Sequence, residues 1–124
     1  MKLLLDTHAL LWWQTDNRRL KLPARKAIAQ ADVVWVSAAT ACEVAIKVSQ
    51  RRLRSAEPIR ITIGVDALTE LPVTVRHAED LAVLPRHHGD PFDRILVAQA
   101  RVEGATIVTH DRAFEAYGVP VIWT

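Results

Sequence analysis

The chain is short of the residues that would mark it as anything but a folded domain. Among its 124 residues there is one cysteine, Cys42. It has no partner for an internal disulfide, so a reducing compartment is permitted and cytoplasm is the expected location. Four glycines and six prolines are too few for a collagen-like or low-complexity chain. Long apolar runs are missing as well. The first, "KLLL" (2–5), is closed by Asp6 and His8, too early for a signal-peptide core, and nothing approaches the roughly 18 apolar residues of a membrane span. No internal repeat divides the chain. A length of this order fits one domain with a real core, so residues 1–124 are expected to form a single soluble unit.

What is present is globular in character, with half the residues hydrophobic and 24% charged. The formal net charge is only +2, yet the isoelectric point is about 9.0. The basic residues gather in "RRLKLPARK" (18–26) and "KVSQRRLR" (47–54). Such clusters suit a polyanionic partner and equally suit solvated helix faces.

Short β-branched or apolar runs at "KLLL" (2–5), "VVWV" (33–36), "VTV" (73–75), "TIVT" (106–109) and "VPVIW" (119–123) read as strands. Between them lie helix signals: Pro23 opening "PARKAIAQA", Ser37 ahead of "AATACEVAIKVSQRRL", and "HAEDLAVL" at 77–84. Strands alternating with helices predict an α/β fold, a three-layer α/β/α sandwich around a central parallel sheet of about five short strands. The stretch "RRLRSAEPIRI" (51–61) reads as a flexible loop.

In open parallel sheets the ligand crevice lies beyond the carboxyl ends of the strands. The sequence sends polar groups there repeatedly: Asp6 after the first strand, Ser37 after the second, Thr109 and Asp111 after "TIVT". Counted from Ser37 as N-cap, Glu43 lies about one and a half turns into its helix and leans back toward the same edge. Its other reading is a surface pair with Lys47 at i+4. In "HHGDPFDR" (87–94), Asp90 followed by proline has the chemistry of an N-cap with proline at N1. Asp93 then falls at N3, favoured there by the helix dipole and aimed at the crevice. Asp6, Glu43, Asp93 and Asp111 therefore form a four-carboxylate constellation that repels itself unless a cation neutralises it. Hard oxygen donors without thiolate or a regular histidine pattern select Mg²⁺ or Mn²⁺ over Zn²⁺; without metal, at least one acid is expected to titrate with a raised pKa.

His8, His87, His88 and His110 read as loop or packing residues, with His87 and His88 able to approach a phosphate. "HH" before Gly89 lacks the paired spacing of a structural zinc site. Trp12 and Trp13 read as packing residues, with partner contact as the functional alternative.

Four blocks in order, "LLLDTHALLWW", "SAATACEVAIK", "LPRHHGDPFDRILVAQA" and "TIVTHDRAFEAYGVPVIW", span nearly the whole chain and resemble the PIN-domain ribonucleases, most of all the VapC-type toxins of bacterial toxin–antitoxin pairs. The resemblance implies that the acidic quartet is Asp6, Glu43, Asp93 and Asp111, that Asp90 stands outside it, and that Thr7, Ser37 and Thr109 order bound waters or neighbouring carboxylates. It implies metal-assisted endoribonuclease activity leaving a 3′-hydroxyl and a 5′-phosphate, with Arg94, Arg112, Lys47, Arg51 and Arg52 as RNA-steering candidates. It also implies a homodimer blocked by a cognate antitoxin; the apolar helices near Trp12 and Trp13 and the 44–53 helix are the candidate docking surface. One departure is visible: Cys42 stands where relatives often carry tryptophan before the glutamate.

Two rival readings remain open. Aspartates after parallel strands also hold Mg²⁺ in phosphotransfer domains, but "DTH" lacks the Asp-x-Asp of haloacid-dehalogenase-like phosphatases, and no acid pairs with Asp6 as in receiver domains. A catalytically silent PIN fold that only binds RNA or protein is the other.

Overall fold

The computed structural model describes residues 1–54 and 58–124. Five strands, β1 (Lys2–Leu5), β2 (Val33–Ser37), β3 (Thr69–Leu71), β4 (Thr106–Thr109) and β5 (Val121–Trp123), form one sheet in the order β3-β2-β1-β4-β5. Every neighbouring pair is parallel. β1 lies at the centre, where side chains alternate between faces. Leu3 and Leu5 enter one core with Leu10, Leu20 and Ile28, while Leu4 enters a second with Leu96, Val97 and Ile107. An unbroken apolar run is what a strand covered on both faces requires.

The helices are α1 (Thr7–Gln14), α2 (Leu22–Gln30), α3 (Ala38–Ser49), α4 (Ile59–Val65), α5 (Val75–Ala82) and α6 (Pro91–Glu103), followed by a 3-10 helix at Arg112–Tyr117. α1, α2 and α4 cover the first face through Ala9, Leu10, Ala24, Ile28, Ile59 and Ile63. Leu81 of α5 and Leu96, Val97 and Ala100 of α6 cover the second, with α3 packed beside α6. The expected α/β/α sandwich of five parallel strands is what forms. Among the described residues, no helix is long and apolar enough to cross a membrane.

α6 shows how locally the sequence sets an element. The Asp90 side chain accepts from the backbone N–H of Phe92 and Asp93, Pro91 occupies the first turn, and Gly104 ends the helix at φ 68°. That left-handed conformation favours glycine.

Three expectations are corrected. The strand expected at 73–75 lies at Thr69–Leu71 instead. Pro72 follows β3, and the Thr74 side chain accepts from His77 N–H to cap α5, so the β-branched run is a helix entry. The loop expected across 51–61 gives way at Ile59, where α4 begins; residues 55–57 lie outside the described residues. α3, expected to reach residue 53, ends at Ser49, and Arg51 has φ 58°.

All carboxyl ends of the sheet face one edge. The strand order reverses across β1, so the crevice between the ends of β1 and β4 is the switch point where this architecture holds its ligands.

Candidate functional site

Asp6 follows β1 directly. Its Oδ1 accepts from Ala9 N–H at 2.8 Å, capping α1, and its Oδ2 accepts from the Thr109 hydroxyl at 2.5 Å. The same hydroxyl accepts from Asp111 N–H at 2.9 Å, and Asp111 Oδ1 caps the 3-10 helix through Ala113 N–H at 2.9 Å. One threonine at the end of β4 thus fixes two of the predicted acids. Glu43 is held equally firmly. The Thr7 hydroxyl donates to its Oε1 at 2.6 Å and Lys47 Nζ to its Oε2 at 2.8 Å. The i+4 pair and the approach to the crevice, set against each other in the sequence, both occur.

Ser37 acts one step back from the carboxylates. Its hydroxyl accepts from Ala39 N–H at 3.0 Å, which starts α3 at the strand end and so carries Glu43 back to the edge.

The group that sequence reasoning undervalued is His88. Its Nδ1 accepts from Asp90 N–H at 3.0 Å, which in the neutral ring leaves the proton on Nε2. Nε2 donates to Asp111 Oδ2 at 2.8 Å, with Asp93 Oδ2 3.0 Å from the same nitrogen. His88 is therefore more than the loop and packing residue expected: its ring stands edge-on to Phe114 and is also a donor between two acids. The loop carrying it is fixed by the Tyr117 hydroxyl, which accepts from His87 N–H at 3.1 Å and His88 N–H at 2.9 Å. Both contacts span about thirty positions of chain, and no local sequence signal announces them.

Asp6, Glu43, Asp93 and Asp111 line one cleft of about 330 Å³, joined by Asp90, with Lys47 and Arg112 as its Lys/Arg cations. Asp90, read as a cap, is a cap and a cleft wall at once. Burial raises the Asp6 carboxyl above its ordinary value despite its donors Thr109 and Ala9. Burial, then the nearby Asp90, pushes Asp93 up to about 7; His88 works against that rise, while Asp6 and Glu43 add to it. Burial also acts to raise Asp111, but Ala113 N–H, His88 and His110 together outweigh it and hold the carboxyl low. The raised acid expected of a metal-free cluster is thus present twice.

The donor set fits a hard divalent cation. Five carboxylates share one cleft, and ligand atoms of His88, Asp93 and Asp111 all lie within 4.8 Å of one another. An added positive charge would oppose the burial that lifts Asp93 and relieve the repulsion that adds to it.

The RNA-steering candidates divide. Lys47 and Arg112 line the cleft, although Arg112 also stands 4.1 Å over the Trp123 ring. Arg94 does not; its Nη2 donates to Leu84 C=O at 3.2 Å and it lines a neighbouring cavity. Arg51 and Arg52 are exposed beyond the end of α3, away from the cleft walls. Trp12 and Trp13 pack half-buried against the first core, as the plainer reading had it. Cys42 is exposed, so the departure at that position opens no hole in the core.

The family model of the PIN domain matches residues 3–120. Ribonuclease VapC22 of Mycobacterium tuberculosis (strain ATCC 25618 / H37Rv) is 32% identical over 120 residues, covering 94% of this chain and 92% of that protein. A chain in the crystal structure of VapBC2 from Rickettsia felis bound to a DNA fragment from their promoter superposes with a TM-score of 0.76 at 15% identity, over 100% of this chain and 99% of the other. A chain of DNA-bound VapBC from Salmonella typhimurium gives 0.73 at 18% identity, over 99% and 98%. At such identities the two structures speak for a shared fold.

Proposed function

The chain belongs to the PIN domain family, and from that premise we propose that it is a metal-dependent endoribonuclease, the toxin of a toxin–antitoxin pair. The observation that carries this reading is the convergence of Asp6, Glu43, Asp93 and Asp111 on one cleft at the switch point of the sheet. A ribonuclease relative at 32% identity over nearly the full length supports it.

Asp6, Asp93, Asp111 and Glu43 would hold Mg²⁺ or Mn²⁺. Once bound, the ion supplies a Lewis acid that lowers the pKa of a water and offsets charge developing on the phosphodiester. Everything else is the work of side chains. Thr109 and Thr7 hold Asp6 and Glu43 in fixed rotamers, removing the reorganisation that two buried carboxylates would otherwise need. Lys47 and Arg112 give the cleft wall positive charge to draw in the RNA backbone. His88 keeps Asp93 and Asp111 together through its Nε2 proton. Hydrolysis leaves a 3′-hydroxyl and a 5′-phosphate.

The structural neighbours are chains of VapBC assemblies, which supports an antitoxin as partner. Candidate docking positions are the exposed aliphatics Ile61 and Val65 of α4, a helix that packs on the same core as Trp12 and Trp13, and Ile46 and Val48 of α3. An amphipathic antitoxin helix suits such a surface. The active form is a homodimer in the cytoplasm.

The test is cleavage of RNA with Mg²⁺ or Mn²⁺, beside EDTA and beside Asp6→Ala and Asp93→Ala. Cleavage lost in the chelated and mutant samples supports the proposal. Cleavage that survives both comes from a contaminant and removes the support.

A further inference from the structure

Beside the acidic cleft lies a second cavity of about 530 Å³ whose walls include Leu81, Arg86, His87, His88, Arg94 and Ile95. The two are contiguous through His88, which lines this cavity while its Nε2 reaches Asp93 and Asp111 of the cleft. Their electrostatics are opposite. The cleft carries five carboxylates; among the described residues the cavity has two arginines and two histidines and no acid in its walls.

Both arginines keep their charge available. Arg86 is exposed, and among the described residues its side chain is in no ion pair or hydrogen bond. Arg94 spends one N–H on Leu84 C=O and meets no carboxylate within ion-pair distance among the described residues. A guanidinium so placed offers its fork to a phosphate. The rest of the lining is Gly89 with the aliphatic Leu81, Pro91 and Ile95, a surface that accepts the face of a base. The volume lies within the range of about 300–1,000 Å³ typical of small-ligand sites. The cavity is also preformed, because the 87–88 backbone is hydrogen-bonded to Tyr117 and the His87 ring meets the Tyr117 ring edge-on at 5.1 Å.

We propose that this cavity is a nucleotide subsite, which holds the base of the RNA nucleotide next to the scissile phosphate against Leu81 and Ile95 and its phosphate on Arg86 and Arg94. The assignment rests on the ribonuclease reading of the adjacent cleft. It makes the chemistry of one flanking nucleotide, and not the acids, the source of sequence preference: cut sites are chosen where a base seats in the cavity.

Two measurements test it. In the first, ¹⁵N-labelled protein in EDTA is titrated with nucleoside 5′-monophosphates, with inorganic phosphate and free nucleosides as controls. The expected result is saturable shifts at Gly89, Ile95 and Leu81, at least tenfold weaker with either control and at least tenfold weaker in Arg86→Gln. In the second, Arg86→Gln raises KM about tenfold at unchanged kcat on an oligoribonucleotide extending both ways from the cut. The effect disappears on one of two oligonucleotides trimmed on either side of the cut. Inorganic phosphate binding as well as the nucleotide, shifts confined to Asp6, Thr109 and Asp111, or an Arg86→Gln variant with wild-type KM on every substrate, each overturns the subsite while leaving the nuclease standing. A wild-type protein that cuts no RNA yet binds monophosphates through Arg86 retains the cavity and overturns the nuclease.

Discussion

The hydroxyl of Thr109 donates to Oδ2 of Asp6 at 2.5 Å, across 103 positions of sequence. Asp6 is buried, so this donor and Ala9 N–H replace the water the carboxylate has lost. Thr109→Val keeps the shape and removes the proton. The expected outcome is a loss of about 1–3 kcal/mol in stability, the usual cost of stranding a buried acceptor, and a fall in cleavage of about 10–100-fold, the range for supporting residues at metal sites. Chemical denaturation and single-turnover cleavage read the two separately.

Stability of the metal-free protein is expected to depend on pH in an unusual direction. Asp93 titrates at about 7 in the folded chain against 3.8 for an ordinary aspartate, and Asp6 is raised as well. A carboxyl raised on folding contributes stability that is complete below its unfolded pKa and is lost as pH rises through its folded pKa. Denaturation in EDTA should therefore show stability falling between about pH 4 and pH 7. Asp111, shifted the other way, contributes stability that is present above the ordinary aspartate value and is lost only as pH drops below it. Asp93→Asn should flatten the slope and make the metal-free protein more stable at pH 7.5 while abolishing cleavage. Divalent metal should restore the wild type most strongly at the alkaline end.

How much of this was legible in the sequence follows from geometry. Parallel strands point their carboxyl ends to one edge, so Asp6 and Asp111, placed just after apolar runs, could be assigned to the crevice without coordinates. Asp93 and Glu43 were reachable by counting turns from Asp90 and Ser37. His88 was not, because its position depends on a tyrosine hydroxyl about thirty residues away, a contact no periodicity encodes. The misplacement of β3 has a different cause. "VTV" has high β propensity, but Thr74 caps α5 in partnership with a histidine at N3, where the familiar signal is glutamate or glutamine.

Cation placement yields a sharp contrast between basic residues. Lys47→Met and Arg112→Gln, both at the cleft, are expected to raise KM for RNA several-fold at low salt, with the difference shrinking as salt is added. An Arg51→Gln/Arg52→Gln double variant, altered away from the cleft walls, should leave KM within about twofold. Lys47→Met should also lower the stability of the metal-free protein, since it leaves the buried Glu43 carboxylate without its cation.

The tautomer of His88 is open to direct observation. With Nδ1 accepting from Asp90 N–H, long-range ¹H–¹⁵N spectra of the metal-free protein should show the proton on Nε2. Mg²⁺ should leave it there, because hard oxygen donors suffice for that ion. A switch to the Nδ1-protonated form on adding Mg²⁺ would instead make Nε2 a ligand.

Four acids from distant parts of the chain are expected to hold one divalent centre. Crystals grown with Mn²⁺ and measured at the manganese edge test it most directly. An anomalous peak is expected among the carboxylates of Asp6, Glu43, Asp93 and Asp111. A well-ordered map with no peak there, or with manganese bound only elsewhere, would contradict it.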